Sequence, residues 1–189
     1  MEGLIYELKP EHKKIPHGIQ YDEKIMGVDF GFGHPTAMSL IGYSSGRYCT
    51  FGEYYKRELT SADIRRIAKE LHALHKFKAI YCDSARPEII EEMRQDGLPA
   101  EPALKGPGSV FARIMFKKAL IADGKYFIDA EACPMHTREH GVYVWDKRPN
   151  VKEQPVKVND DCMDAESYAT YTHALTLGLH PKPQFFTAY

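Results

Sequence analysis

Asp29 in IMGVDFG, Asp83 in AIYCDS, and Asp161 and Asp164 in NDDCMDAESYATY recur at the ends of predicted elements. The first two sit where a short apolar run stops. The other two open a helix. A charged side chain in an apolar run is costly unless it is paired or binds a cation. Each acid also has a plain structural role. Asp29 can help make a turn with Gly31 and Gly33. Asp83 or Ser84 can cap the helix that follows. Asp161 can favour the positive end of its helix. Asp164 suits that last role less well, because it lies a full turn in, between Met163 and Ala165. Asp161 and Asp164 are three apart and share a helix face. Carboxylates from distant segments, all at element ends, form a cage for hard cations. A pair of divalent ions about 3.5–4 Å apart needs three or four such groups. Oxygen ligands favour Mg²⁺ or Mn²⁺ over zinc. The chemistry implied is phosphodiester cleavage by in-line attack of water, with no nucleophilic side chain.

The elements that must position these acids follow from periodicity. Residues 1–24 read as a polar lead-in, with a short strand at Gly3–Leu8. IMGVDFG is a strand, GFGHP a turn, TAMSLIGYS a second strand, SSG a hairpin signal and RYCTFGEYYKREL a third strand. Thr60 or Ser61 caps a helix whose apolar positions are Ile64, Ile67, Ala68, Leu71 and Leu74. Lys78–Cys82 is a buried strand, and Pro87 starts a helix that Gly97 ends. A short strand near Pro99–Leu104, a helix over Val110–Ala122, a strand at KYFID and a helix within 132–140 come next. Val142–Asp146 and Pro155–Val158 read as a hairpin. The last helix runs from about Asp160 to Leu177, and 178–189 read as a loose tail. The order gives a single α/β domain over 1–189 with a mixed sheet, three antiparallel strands then parallel strands, and helices on both faces; an RNase H-like fold has this order, while the alternation alone supports only one α/β domain. If the first strand is central, Asp29 lies at the middle of the sheet. A parallel Lys78–Cys82 strand then brings Asp83 beside it.

Composition narrows the class without naming a function. Hydrophobic residues make up 43% and charged residues 27%, which argues against disorder. No apolar run is long enough to span a membrane, and the N-terminus lacks a signal-peptide core. The four cysteines are far apart with no CxxC pair, so neither a disulfide scaffold nor a zinc knuckle is implied. Net charge is −1, so the chain does not advertise nucleic-acid binding overall; clustered acids lower that total. Local basic candidates exist. Lys105 lies in a glycine-bearing loop before a helix, where backbone amides can hold a phosphate. Arg86 is three residues past Asp83. Lys147, Arg148, Lys152 and Lys157 mark a basic hairpin before the last helix. Arg113, Lys117 and Lys118 read as a solvated helix face, and His34, His136 and His140 as surface or packing residues.

With these pieces in order, GVDFG…P, YCDSARPE, KGPGS before a long helix, EHGVYVWDK and DDCMDAESYATY together resemble the C-terminal nuclease domain of phage terminase large subunits. The resemblance spans about Gly3–Leu177. It implies an RNase H-like fold and cleavage of double-stranded DNA during genome packaging with two Mg²⁺ or Mn²⁺ ions, in the host cytoplasm. It makes Asp29, Asp83 and Asp164 the catalytic acids and metal ligands. Many members carry His where Asp161 stands, in a D-H-x-x-D-A pattern, so Asp161 is a departure and a candidate fourth ligand. The resemblance also implies as partners an ATPase motor domain, a small terminase subunit and a portal. No GxxxxGK[ST] loop is present, which points to an excised domain or separately encoded fragment without the motor. Competing readings are a Holliday-junction resolvase on the same fold, a sugar-kinase-like ATPase (for which the chain is too short), and a non-catalytic portal or motor docking module.

Overall fold

The computed structural model describes residues 3–148 and 154–179. Three successive strands, β1 (Glu23–Asp29), β2 (Thr36–Ser44) and β3 (Arg47–Lys56), pair antiparallel. The β2–β3 hairpin turns on Ser45 and Gly46, both with positive φ (48° and 84°). Thr60 accepts from the Asp63 amide and starts α1 (Ser61–His75). β4 (Ala79–Cys82), α2 (Pro87–Gln95), β5 (Ala100–Pro102), α3 (Ser109–Ala122), β6 (Tyr126–Ile128), α4 (Pro134–His140) and α5 (Asp161–Thr176) follow. The six-stranded sheet has the order β5-β4-β1-β2-β3-β6, with β4 parallel to β1 and β6 parallel to β3. β1 is therefore interior, as the sequence predicts.

Side chains two apart on β1 share a face. Met26 and Val28 pack with Ile64, Ile67, Ile89 and Met93 of α1 and α2. Ile25 faces the opposite layer with Phe116, Tyr126 and Ala169. Gly27 and Asp29 share that second face, where α5 crosses. The crossing leaves no room for a side chain at Gly27: a Cβ there would lie 1.9 Å from the Ala165 carbonyl oxygen. α5 is buried on almost all sides, with Cys162, Met163, Ala165, Glu166, Tyr168 and Ala169 inside. All four cysteines are buried and unbridged, as packing residues should be.

The reading of α3 needs correction. Arg113 and Lys117 are not on a solvated face; they are 4% and 3% exposed. Lys117 pairs with the fully buried Glu166, which also accepts from Tyr126 Oη at 2.8 Å. Burial pulls the Glu166 carboxyl upward, but Lys117 overrides it and holds the group ionised. The helical periodicity holds, but a helix face that looks polar can point at a buried counter-charge on another helix. The N-terminal segment also differs: Ile5 and Tyr6 are buried, and Leu4 makes one isolated bridge to Val144 rather than a strand. Of the expected hairpin, Val142–Asp146 and Pro155–Val158 meet in an antiparallel bridge at Trp145–Pro155, flanked by hydrogen bonds from the Asp146 amide to the Gln154 carbonyl (2.8 Å) and from the Val156 amide to the Val144 carbonyl (2.9 Å), and its turn at 149–153 lies outside the described residues.

His140 closes the buried network. Its Nδ1–H donates to the His136 carbonyl at 2.7 Å, which leaves Nε2 to accept from Lys117 Nζ at 2.7 Å. Burial, then the Lys117 ammonium, push the imidazole down to about 3. Between the ordinary value near 6.5 and that depressed one, the unfolded chain binds the extra proton. The His140 share of stability is thus complete above about pH 6.5 and falls as pH drops through the window, by about 2 kcal/mol at pH 5. The raised carboxyls of Asp29 and Glu139 act in the opposite sense over the same window, so urea unfolding of wild type and His140→Gln at pH 7 and pH 5 isolates it. Wild type should lose about 2 kcal/mol relative to the variant between the two pH values, and an unchanged difference would assign the effect elsewhere.

Candidate metal centre

β1 delivers Asp29 to the sheet end, and the parallel pairing of Val28 with Cys82 delivers its neighbour. The Asp83 amide donates to the Val28 carbonyl at 2.9 Å, so Asp83 sits one step beyond β4 and beside Asp29. The first turn of α5 brings Asp161 and Asp164 over the same spot. All four acids line one open pocket of about 500 Å³, together with His34, Arg57, Lys157 and Tyr168.

The four carboxylates are not equivalent. Asp83 accepts from the Ala85 amide at 2.9 Å and pairs with Lys105. Asp164 meets Lys157 Nζ at 2.9 Å and the buried Arg113 at 3.4 Å. Asp161 meets His34 Nδ1 at 2.8 Å and Tyr55 Oη at 3.3 Å. Asp29 is 7% exposed, and among the described residues nothing donates a hydrogen bond to it. Burial, then Asp164, Asp83 and Asp161, push its carboxyl up to about 8. A buried acid surrounded by three others, with cations held at the rim, is the charge distribution that a divalent ion relieves. The oxygen-rich donor set suits a hard cation, so the residues present fit the metals the sequence implies.

The sequence candidates divide by position. Lys105 reaches the centre: it binds Asp83 and lies 4.5 Å from the Tyr168 ring centroid. Arg86, the residue before α2, lies outside the pocket lining and turns its guanidinium to Glu88 in the first turn of that helix. Arg148 is clamped to Asp146, with Nη2 2.6 Å from the carboxylate, and lies outside the pocket lining. Lys147 is exposed and also outside it. Lys152 lies outside the described residues. Sequence reasoning missed His34, Tyr55 and Arg57. His34 lies in the turn after the Asp29 strand, which was a usable signal. Its contact with Asp161, 127 residues away, was not.

The sheet order and the carboxylate cluster at its end define an RNase H-like α/β domain with a candidate metal centre. No family model matches the chain. The large terminase subunit of Escherichia phage T5 is 27% identical over 161 residues, which is 79% of this chain and 35% of that protein. The large terminase of a thermophilic bacteriophage superposes with a TM-score of 0.79 at 22% identity, over 92% of this chain and 45% of that one. The large terminase nuclease domain of bacteriophage SPP1, solved with bound Mn, superposes with a TM-score of 0.67 at 20% identity, over 79% of this chain and 85% of that domain. The chain therefore spans about a third of the curated relative it matches. These likenesses bear out the resemblance read from the sequence, and the fold is that of terminase nuclease domains.

Proposed function

We propose that this chain is a metal-dependent endonuclease that cleaves double-stranded DNA as the nuclease part of a terminase large subunit. The observation that carries the reading is the buried Asp29 carboxylate, without a hydrogen-bond partner among the described residues and faced by Asp83, Asp164 and Asp161 in an open pocket. Asp29, Asp83 and Asp164 would hold the metal, with Asp161 beside them. Mg²⁺ or Mn²⁺ held there would supply electrophilic stabilisation of the phosphate and leaving oxygen and lower the pKa of the attacking water. Arg113, buried behind Asp164 and 4.8 Å from the Tyr168 ring centroid, keeps that carboxylate oriented. Lys105 and Arg57 lie at the rim, where a phosphodiester backbone would run, and each can exchange its present acid or carbonyl partner for a phosphate oxygen. The likeness to the T5 protein and to the thermophilic-phage terminase supports a role in packaging alongside a motor, a small terminase subunit and a portal, in the host cytoplasm. Among the described residues no helix is long and apolar enough to cross a membrane.

Plasmid cleavage tests the reading. The wild-type chain should cut linear and supercoiled duplex with Mn²⁺ or Mg²⁺ and stop cutting in EDTA. Asp83→Ala and Asp164→Ala should each lose at least about 10²-fold, because each removes a ligand from the site that stabilises the transition state. Wild-type rates in both variants would remove the assignment. Strong preference for a four-way junction over linear duplex would transfer it to a resolvase.

A further inference from the structure

We propose that Glu139 is a positioning residue for the metal centre: from α4 it caps the start of α5, and so fixes where Asp161 and Asp164 stand. The proposal deepens the metal-dependent nuclease reading and rests on it.

The first amides of a helix have no partner within it, and the residue at the boundary ordinarily supplies one from its own side chain. Asp160 holds that position in α5 and makes no such bond. Its carboxyl lies 3.0 Å from Lys157 Nζ instead. The acceptor comes from another helix. Glu139 Oε2 accepts from the Cys162 amide at 2.8 Å and from the Met163 amide at 3.2 Å. These are the two residues between Asp161 and Asp164. The Asp164 amide then makes a helical bond to the Asp160 carbonyl at 2.8 Å.

α4 is itself tied to the sheet in the same way. Glu53 of β3 accepts from the Met135 amide at 2.8 Å and from the His136 amide at 3.0 Å. Its Oε2 also accepts from His136 Nδ1–H at 2.7 Å, and the Ser39 hydroxyl of β2 donates to His136 Nε2 at 2.7 Å. One carboxyl therefore links β3 to the start of α4, and a second links α4 to the start of α5. Along this line the sheet that carries Asp29 sets the position of the helix that carries the acids opposite it.

Stability alone is a poor reason for this arrangement. Glu139 is fully buried, and its Oε1 has no hydrogen-bond partner among the described residues. A buried carboxyl left half-satisfied is costly. A serine at 160 would cap α5 without one. What Glu139 adds is a fixed point outside α5. Removing a group that orients metal ligands typically costs about 10–100-fold in metal affinity or activity.

The experiment measures Mn²⁺ affinity by calorimetry and the Mn²⁺ dependence of plasmid cleavage, with amide hydrogen exchange at Cys162 and Met163 as the report on the cap. Glu139→Gln keeps the reach and an acceptor oxygen without the charge, and should bind Mn²⁺ within about threefold of wild type. Glu139→Asp keeps the charge but falls a methylene short. It and Glu139→Ala should bind Mn²⁺ about 10–100-fold more weakly, need correspondingly more for half-maximal cleavage and exchange both amides faster, with far less change in rate at saturating Mn²⁺. If Glu139→Ala does not fold, Glu139→Asp carries the test. Ile67→Ala, cut into the core on the opposite face of the sheet, should melt well below wild type yet keep its Mn²⁺ affinity. Wild-type affinity in Glu139→Asp with faster exchange at the two amides would reduce Glu139 to a cap with no bearing on the centre. A loss in Glu139→Gln as large as in Glu139→Asp would make charge rather than position the cause, and an equal loss in Ile67→Ala would make it a general effect of destabilisation; either overturns the proposal and leaves the nuclease reading standing. Wild type that binds no Mn²⁺ overturns both.

Discussion

Asp29→Asn is expected to abolish cleavage, by at least about 10³-fold, while making the metal-free protein more stable. The two effects have one cause. Asp29 is buried, lacks a hydrogen-bond donor among the described residues and faces three other carboxylates. Its negative charge is costly in the absence of a cation and is what the cation needs. A rate loss of about 10³ corresponds to about 4 kcal/mol of transition-state stabilisation, a reasonable share for a metal ligand at the reacting phosphate. Asparagine keeps the shape and is neutral without taking up a proton, so it spares the cost of protonating the buried carboxyl on folding at neutral pH, which should return on the order of 1–3 kcal/mol. Thermal melts in EDTA and with Mn²⁺ separate the two effects. The variant should melt above wild type in EDTA, and Mn²⁺ should raise its melting temperature far less than that of wild type. A variant that melts below wild type in EDTA would show that Asp29 supports the fold rather than the metal. Such a trade between stability and activity is common where a site is kept electrostatically strained.

Gly27→Ala should cost more than any substitution at the rim. A single methyl there would press against the α5 backbone at Ala165, with the Cβ 1.9 Å from the carbonyl oxygen and 3.1 Å from the Ala169 Cβ. Neither contact is the far end of a flexible side chain. Either β1 or α5 must move, and the two together carry Asp29, Asp161 and Asp164. Overpacking typically costs about 1–3 kcal/mol, and backbone displacement adds to it. A loss of at least about 3 kcal/mol in urea unfolding is therefore expected, or failure to fold at about 37 °C. Any folded fraction should bind Mn²⁺ weakly, because the crossing sets the distance between the acids. Wild-type stability with wild-type Mn²⁺ affinity would mean that α5 does not rest on β1 as described.

Much of this was legible in the chain because local chemistry marks it. TAMSLIGYS is bounded by a proline-containing turn and an SSG turn, and β2 occupies that span. Thr60 caps α1 and Pro87 opens α2, where capping and proline rules place them. A parallel β4 beside β1 followed from the strand–helix alternation, and with it the meeting of Asp29 and Asp83. What stayed hidden depends on contacts across the fold. Arg113 and Lys117 are four apart and read as a polar stripe, because no local pattern shows that Asp164 and Glu166 face them from α5. Arg86 is close to Asp83 in sequence, but Glu88 is closer to its guanidinium and holds it. The N-terminal residues looked polar and irregular, yet two of them, Ile5 and Tyr6, fill a gap beside Tyr143, Cys162 and Met163. Asp161 was the least settled acid in the sequence, and its partners show why. Its neighbours His34 and Tyr55 come from the β1–β2 turn and from β3, so nothing near residue 161 foretells them.

Crystals soaked in Mn²⁺ and measured at the manganese absorption edge test the metal centre most directly. An anomalous peak is expected between the carboxylates of Asp29, Asp83 and Asp164, and it should vanish in Asp29→Asn. Saturating Mn²⁺ with no peak among these three side chains, or a peak that persists in Asp29→Asn, would contradict the assignment of this pocket as a nuclease centre.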